Sequence, residues 1–209
     1  MKGRKRNKER IILGITGSFG SGKTIVAREF HSFGAKVINA DKIAHKIVEP
    51  GTQIYKKTIN VFGGVILKKN ETINRDKLAK IVFNNKNSLN ILNRIIHPEV
   101  IRIIKNQIKI SPSKIIVLDA PLLIEAGLRK IVDKIVVVKI SRKKQIQRII
   151  KKTSLSKTDI LKRIRHQMPL LDKIRLADFV IDNNGSIQET KKQVKNIWKK
   201  MNLSLAANK

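Results

Sequence analysis

The sequence contains no cysteine, which removes disulfides, thiolate zinc sites and cysteine nucleophiles from consideration. Aromatic residues are scarce, at 4% with one tryptophan and one tyrosine. A surface that stacks bases on aromatic rings has little to draw on, and no zinc knuckle or RNP-like motif is present. No apolar run approaches the ~20 residues needed to cross a bilayer. The opening stretch MKGRKRNKER is basic, but the IILGITG after it is too short and too glycine-broken for a signal-peptide core. A cytoplasmic protein with no membrane partner is expected.

Acidic residues are the remaining shortage: 15 Asp+Glu stand against 46 Lys+Arg, for a net charge of +31. Such a balance suits a polyanion binder that releases counterions. It also suits compositional drift, because the chain is rich in Lys, Ile and Asn, whose codons can be built from A and T alone. The lysines run along the whole length, as in KKQVKNIWKK, and drift is the better account. No specific nucleic-acid partner is expected, and residues 1–10 are set apart as a basic tail.

What is present is a chain of 209 residues with a 41% hydrophobic fraction, enough for one sizeable core. RIILGIT (10–16) reads as a buried strand. KTIVAREFHSFG (23–34) reads as a helix with Val26, Ala27, Phe30 and Phe33 on one face, stopped by Gly34. AKVINAD reads as a second strand ending at Asn39–Asp41. The order strand, glycine loop, helix, strand is a βαβ unit. Residues 42–107 turn mainly helical, with Pro98 marking a break or bend. SKIIVLDAP (113–121) and DKIVVVKI (133–140) are further buried strands. SRKKQIQRIIKKT and SKTDILKRIRHQM are two basic helices, and ADFVIDNNG holds a last strand. SIQE is a capping box from Ser186 to Glu189. The helix it opens runs to Met201 with Ile187, Val194, Trp198 and Met201 toward the core, and the segment after it frays.

GSFGSGKT (17–24) fits the phosphate-loop pattern G-x-x-x-x-G-K-[ST]. Gly17, Gly20 and Gly22 let consecutive N–H groups converge on phosphate oxygens, and the helix that starts there adds its positive dipole end. Ser18 and Ser21 belong to the same loop. Lys23 reaches the outer phosphates, the Thr24 hydroxyl ligates Mg²⁺, and Ile25 serves through its backbone. Asp119, closing the apolar run KIIVLD, is either a Walker-B acid holding a magnesium-bound water beside Thr24 or a cap for the next helix. Asp41 should point into the crevice at the carboxyl ends of the strands, as base or magnesium organiser, or as an N-cap of KIAHKIV. The basic helices 141–168 resemble a lid whose cations neutralise charge in transfer, with Arg142, Arg148, Lys152, Arg163 and Arg165 as candidates. His31, His45, His97 and His166 show no metal-ligand spacing.

With these motifs in this order, GITGSFGSGKT, VINADKIAHKIVEPG, IIHPEV, LDAPLLIEAGL and RIRHQMPLLDKIRLADFVIDNNGS, the sequence resembles the dephospho-CoA kinase family from about Ile11 to Trp198. The resemblance implies an α/β P-loop NTPase fold of three layers, αβα, with a five-stranded parallel sheet. It implies a core of 11–41 and 113–201, a helical substrate-binding insertion 42–112 and a lid about 141–168. The activity implied is transfer of the γ-phosphoryl of ATP, with Mg²⁺, to the ribose 3′-hydroxyl of dephospho-CoA, the last step of coenzyme A synthesis, by a monomer or weak homo-oligomer.

Carried over by residue, the resemblance makes Asp41 the base or magnesium-organising group. It puts Arg75 and His97 on the substrate side, Arg148 and Lys152 in the lid, and Asn183 and Gly185 beside the adenine. Two positions depart from the family pattern. Asn39 stands where the first Asp of D-x-D is usual, removing a charge, and Lys152 stands where an arginine is expected, losing the bidentate fork. The rivals are a P-loop kinase for a nucleoside monophosphate or a shikimate-like alcohol, and a nucleic-acid binder.

Overall fold

A computed structural model describes residues 10–207; all of the expected basic tail except Arg10 lies outside the described residues. In chain order the elements are β1 (Ile11–Gly17), α1 (Lys23–Ser32), β2 (Lys36–Asn39), α2 (Ala40–Lys46), α3 (Gln53–Phe62), α4 (Arg75–Asn84), α5 (Lys86–Ile110), β3 (Ile115–Asp119), β4 (Lys134–Lys139), α6 (Arg142–Ile150), α7 (Lys157–Arg165), α8 (Leu170–Arg175), β5 (Phe179–Asp182) and α9 (Ile187–Ala206). They divide into two compact units, Ala40–Ile110 and the remainder.

The larger unit is a five-stranded sheet in the order β2-β3-β1-β4-β5, with all pairings parallel. Parallel strands need crossovers that lay helices on the faces, so the central strands are buried on both sides and read as continuous apolar runs. On one face Leu13, Ile15, Val136 and Val138 meet Val26 and Phe30 of α1 and Val194 and Met201 of α9. Full burial of a side chain such as Phe30 contributes about 1.5–3 kcal/mol. On the other face α8 lies against β1 and β4, and Leu123 fills the space beside Gly14. Among the described residues no helix is long and apolar enough to cross a membrane.

The smaller unit gathers α3, α4 and α5 around Ile66, Ile73, Leu78 and Val82, with Tyr55, Phe62 and Leu92 at the margin, and α2 packs on α5. Thr52 caps α3 and Asn74 caps α4, each side chain accepting a first-turn N–H.

Four expectations need correction. The second strand stops at Asn39, and Asp41 lies in the first turn of α2 rather than at a strand end. Helix α5 continues through Pro98 without a break, because Val100, Ile104 and Ile108 beyond the proline are buried. Ile187 is 56% exposed rather than in the core, since it is the first residue of α9 and precedes the stretch that crosses the sheet. That helix runs on to Ala206, because Leu205 continues the stripe of Val194, Ile197 and Met201 onto the core.

Candidate active site

Strand β1 ends in Gly17, and α1 starts at Lys23. Between them the backbone must turn back on itself, and two glycines show why no side chain is tolerated. Gly17 has φ 151°, and a Cβ there would run into the carbonyl oxygen of Val138. Gly22 has φ 94° as the N-cap of α1, and a Cβ there would collide with the amide nitrogen of Asn183. A left-handed conformation with backbone or buried amide at the Cβ position admits only glycine.

The loop is built to take an anion. Helix α1 has no side-chain cap and no acid in its first turn, so its positive end is left to whatever docks there. Lys23 is buried, and its Nζ donates to the carbonyls of Gly17 and Ser18 at 3.3 Å each. The Ser21 Oγ is buried with no hydrogen-bond partner among the described residues. A buried cation, an uncapped helix start and an orphaned hydroxyl in one loop fit a phosphate group.

The acid at the end of β3 has a specific neighbour. Asp119 is 5% exposed and faces Asn39 in the β2–β3 register; Asn39 Nδ2 donates to its Oδ2 at 3.0 Å. The residues directly after Asp119 form turns rather than an α-helix. A carboxylate and the exposed Thr24 hydroxyl are hard oxygen donors of the kind Mg²⁺ prefers, and the donor chemistry fits that ion.

Asn183 is 2% exposed. Its Nδ2 donates to Ser21 O at 2.7 Å and its Oδ1 accepts from Thr190 Oγ1 at 2.9 Å, so it braces the loop from below. Gly185 leaves room for Glu189, which closes the capping box of α9. Among the cations of α6 and α7, the Arg148 guanidinium approaches within 3.8 Å of where a Gly22 Cβ would sit. Arg163 stacks over the Phe19 ring at 5.8 Å, while Lys152 is exposed just beyond the end of α6. A cleft of ≈ 350 Å³ beside Ser18 is lined by Arg142, Gln145, Arg165, Gln167 and Met168.

Sequence reasoning missed a buried lysine. Lys173 is fully buried; its Nζ meets Glu125 Oε1 at 2.9 Å and donates to Pro121 O at 2.8 Å. Thr16 Oγ1 donates to the same carbonyl at 2.9 Å, and Met168 N donates to Glu125 Oε1 at 3.0 Å. One ammonium thus ties the end of β1, the turns after β3 and the stretch that follows α7 together. The glutamate of DAPLLIE was the available signal.

Within the smaller unit, Asp41 and Arg75 share an electrostatic neighbourhood centred on His45. Burial, then the Arg75 guanidinium, lower the His45 pKa, and the Asp41 carboxylate opposes them. His45 lies one turn after Asp41 on α2, which brings the two to one face. His97 is half-buried on α5, and burial lowers its pKa also. A separate groove of ≈ 510 Å³ between α3 and α5 is lined by Ile54, Lys57, Val61, Ile91 and Arg94 among others.

The dephospho-CoA kinase family model matches residues 11–189. The chain belongs to the dephospho-CoA kinase family. It is 45% identical over 192 residues to the dephospho-CoA kinase of Carboxydothermus hydrogenoformans, covering 90% of this chain and 93% of that one. A solved Thermus thermophilus structure superposes with TM-score 0.78 at 29% identity, over 92% of this chain and 98% of the other. The dephospho-CoA kinase of Campylobacter jejuni superposes with TM-score 0.66 at 30% identity, over 90% and 96%. The five-stranded parallel sheet with helices on both faces is the fold of this family.

Proposed function

We infer that this chain is a phosphotransferase acting on an alcohol: it moves the γ-phosphoryl of ATP to dephospho-CoA, giving coenzyme A and ADP. The observation that carries the reading is the family match over residues 11–189, on a chain whose phosphate loop has an intact lysine, hydroxyl and uncapped helix start.

Lys23, Ser21 and the N–H groups from Gly20 to Ile25 hold the phosphates, with Gly17 and Ser18 shaping the start of the loop. The ribose 3′-oxygen attacks the γ-phosphorus as the bond to the bridging β–γ oxygen breaks, leaving ADP. The hydroxyl proton passes to Asp41, directly or through water. Arg148 faces the phosphate charge as it shifts to the leaving group, and Lys152 adds a weaker point charge from further out. Thr24 and Asp119 would hold Mg²⁺, which when bound screens the phosphate charge. Arg75 and His97 belong to the acceptor side, with Arg75 meeting an anionic part of dephospho-CoA. Asn183 and Gly185 border the adenine through the loop they support. The enzyme works in the cytoplasm as a monomer or weak homo-oligomer.

The test is direct. Purified protein with ATP, Mg²⁺ and dephospho-CoA should give coenzyme A carrying a new 3′-phosphate, read by mass and by ³¹P NMR. Turnover of a nucleoside monophosphate with none of dephospho-CoA would reject the reading.

A further inference from the structure

The two peptide groups that flank the Phe19 Cα, in the middle of the phosphate loop, are each held by a glutamine from the α6–α7 region. Gln145 on α6 is 3% exposed; its Nε2 donates to Phe19 O at 2.5 Å and to Ser18 Oγ at 2.7 Å. Gln167, just beyond α7, accepts from Phe19 N through Oε1 at 2.8 Å. The two bonds have opposite polarity, and the backbone dictates it, because a carbonyl needs a donor and an N–H needs an acceptor. The Phe19 side chain packs against Ile149, Ile160 and Ile164 under the Arg163 guanidinium. Gly20, at φ 74°, lies so close to Ile149 that a Cβ there would come within 2.5 Å of it.

We propose that Gln145 and Gln167 are positioning residues that set the aim of the phosphate loop by fixing the backbone on both sides of Phe19 between the two ends of the α6–α7 pair. The Phe19 N–H lies in the Ser18–Phe19 peptide plane and the Phe19 C=O in the Phe19–Gly20 plane. Holding both groups fixes the two planes, and with them φ and ψ at Phe19, and the N–H groups that follow then converge on one point. The bonds from Gln145 also seat α6, and with it Arg148, on the loop. In a chain of net charge +31 the neutral amide at 145 is informative, since its immediate neighbours in RKKQIQR are mostly cations. A buried charge there would cost several kcal/mol without a counter-ion, whereas an amide donates with no charge to desolvate.

This inference rests on the loop being the nucleotide site, and its test reads nucleotide binding without an acceptor. Gln145→Glu and Gln167→Glu add the same charge close to the loop, so repulsion of the nucleotide weakens both alike. They differ in polarity: glutamate at 167 still accepts from Phe19 N, while glutamate at 145 turns an acceptor toward an acceptor. Affinity for a fluorescent ATP analogue, with thermal melting as the check on folding, should fall about tenfold further in Gln145→Glu than in Gln167→Glu. Gln145→Met and Gln167→Met, which keep volume and lose the bonds, should each weaken binding about tenfold. Equal affinities for the two glutamate variants, or wild-type affinity in the methionine variants, would overturn the proposal. If Gln145→Glu does not fold, Gln145→Met alone decides, and unchanged affinity there overturns it. Wild-type protein that binds ATP yet leaves dephospho-CoA untouched would sink the proposed reaction while leaving this test intact.

Discussion

Asn39 Nδ2 donates to Asp119 Oδ2 at 3.0 Å, across the β2–β3 ladder at the edge of the phosphate site. Where the family pattern resembled in the sequence has an aspartate, this chain has an amide that can neutralise nothing but can donate. Asn39→Asp would set two carboxylates at hydrogen-bond distance, where one resists ionisation unless a cation lies between them. Without divalent ions the variant should lose about 1–3 kcal/mol of stability. Added Mg²⁺ should raise its melting temperature by more than it raises the wild type's. Equal shifts in the two proteins would argue against magnesium at this carboxylate.

The Lys173–Glu125 pair is asymmetric. The lysine side chain is 0% exposed and the glutamate side chain 22% exposed. Glu125→Ala strands a buried ammonium on Pro121 O and Thr16 Oγ1, and urea unfolding should show a loss of about 3–5 kcal/mol. Lys173→Met leaves a carboxylate that can hydrate, and its cost should be smaller. The reverse order would mean that packing of the lysine stem, not the charge, holds the region.

Asn183 links Ser21 O to Thr190 Oγ1. Asn183→Asp keeps the shape and loses the donor to Ser21, aiming a carboxylate at a loop that receives phosphates. The KM for ATP should rise at least about tenfold. Thr190→Val, which removes the bonds to Asn183 Oδ1 and Ser186 O but leaves the Asn183 bond to Ser21 O, should raise it far less. Steady-state kinetics at saturating acceptor measure both.

His45 and His97 have lowered pKa values, chiefly through burial. A histidine whose folded pKa lies below 6.5 binds fewer protons when folded than unfolded in that window. Stability should therefore rise with pH up to about 6.5 and be lost as pH falls through the folded values. NMR titration of the imidazole signals reads this directly. Arg75→Met should raise the His45 midpoint and Asp41→Asn should lower it further, while His97 stays unchanged in both.

The sheet strands were legible because parallel strands buried on both faces must be apolar throughout, as in IIVLD and KIVVVK. The phosphate loop was legible for a different reason: its glycines answer to backbone sterics within a few residues. The capping box of α9 spans one turn, and both of its bonds form as the spacing requires. Helix α5 through Pro98 was not legible, because burial of residues beyond the proline outweighed a local breaker. Asp41 read as a strand end or N-cap because the pattern starts the helix after Asp41, whereas α2 starts at Ala40.

By itself, then, the sequence determined what local physics encodes: the αβ alternation, the loop, the caps and the motifs that carry the family resemblance. Only the tertiary structure decided which distant polar groups meet. Asn39 and Asp119 are 80 residues apart, Gln167 and Phe19 are 148 apart, and Asn183 and Ser21 are 162 apart. No periodicity records such pairs. They exist because the strand order sets β3 beside β1 and β2, and because helices packed on the sheet return late residues to the loop that opens the fold. At each of these contacts a buried polar group must find a partner or lose its hydration uncompensated.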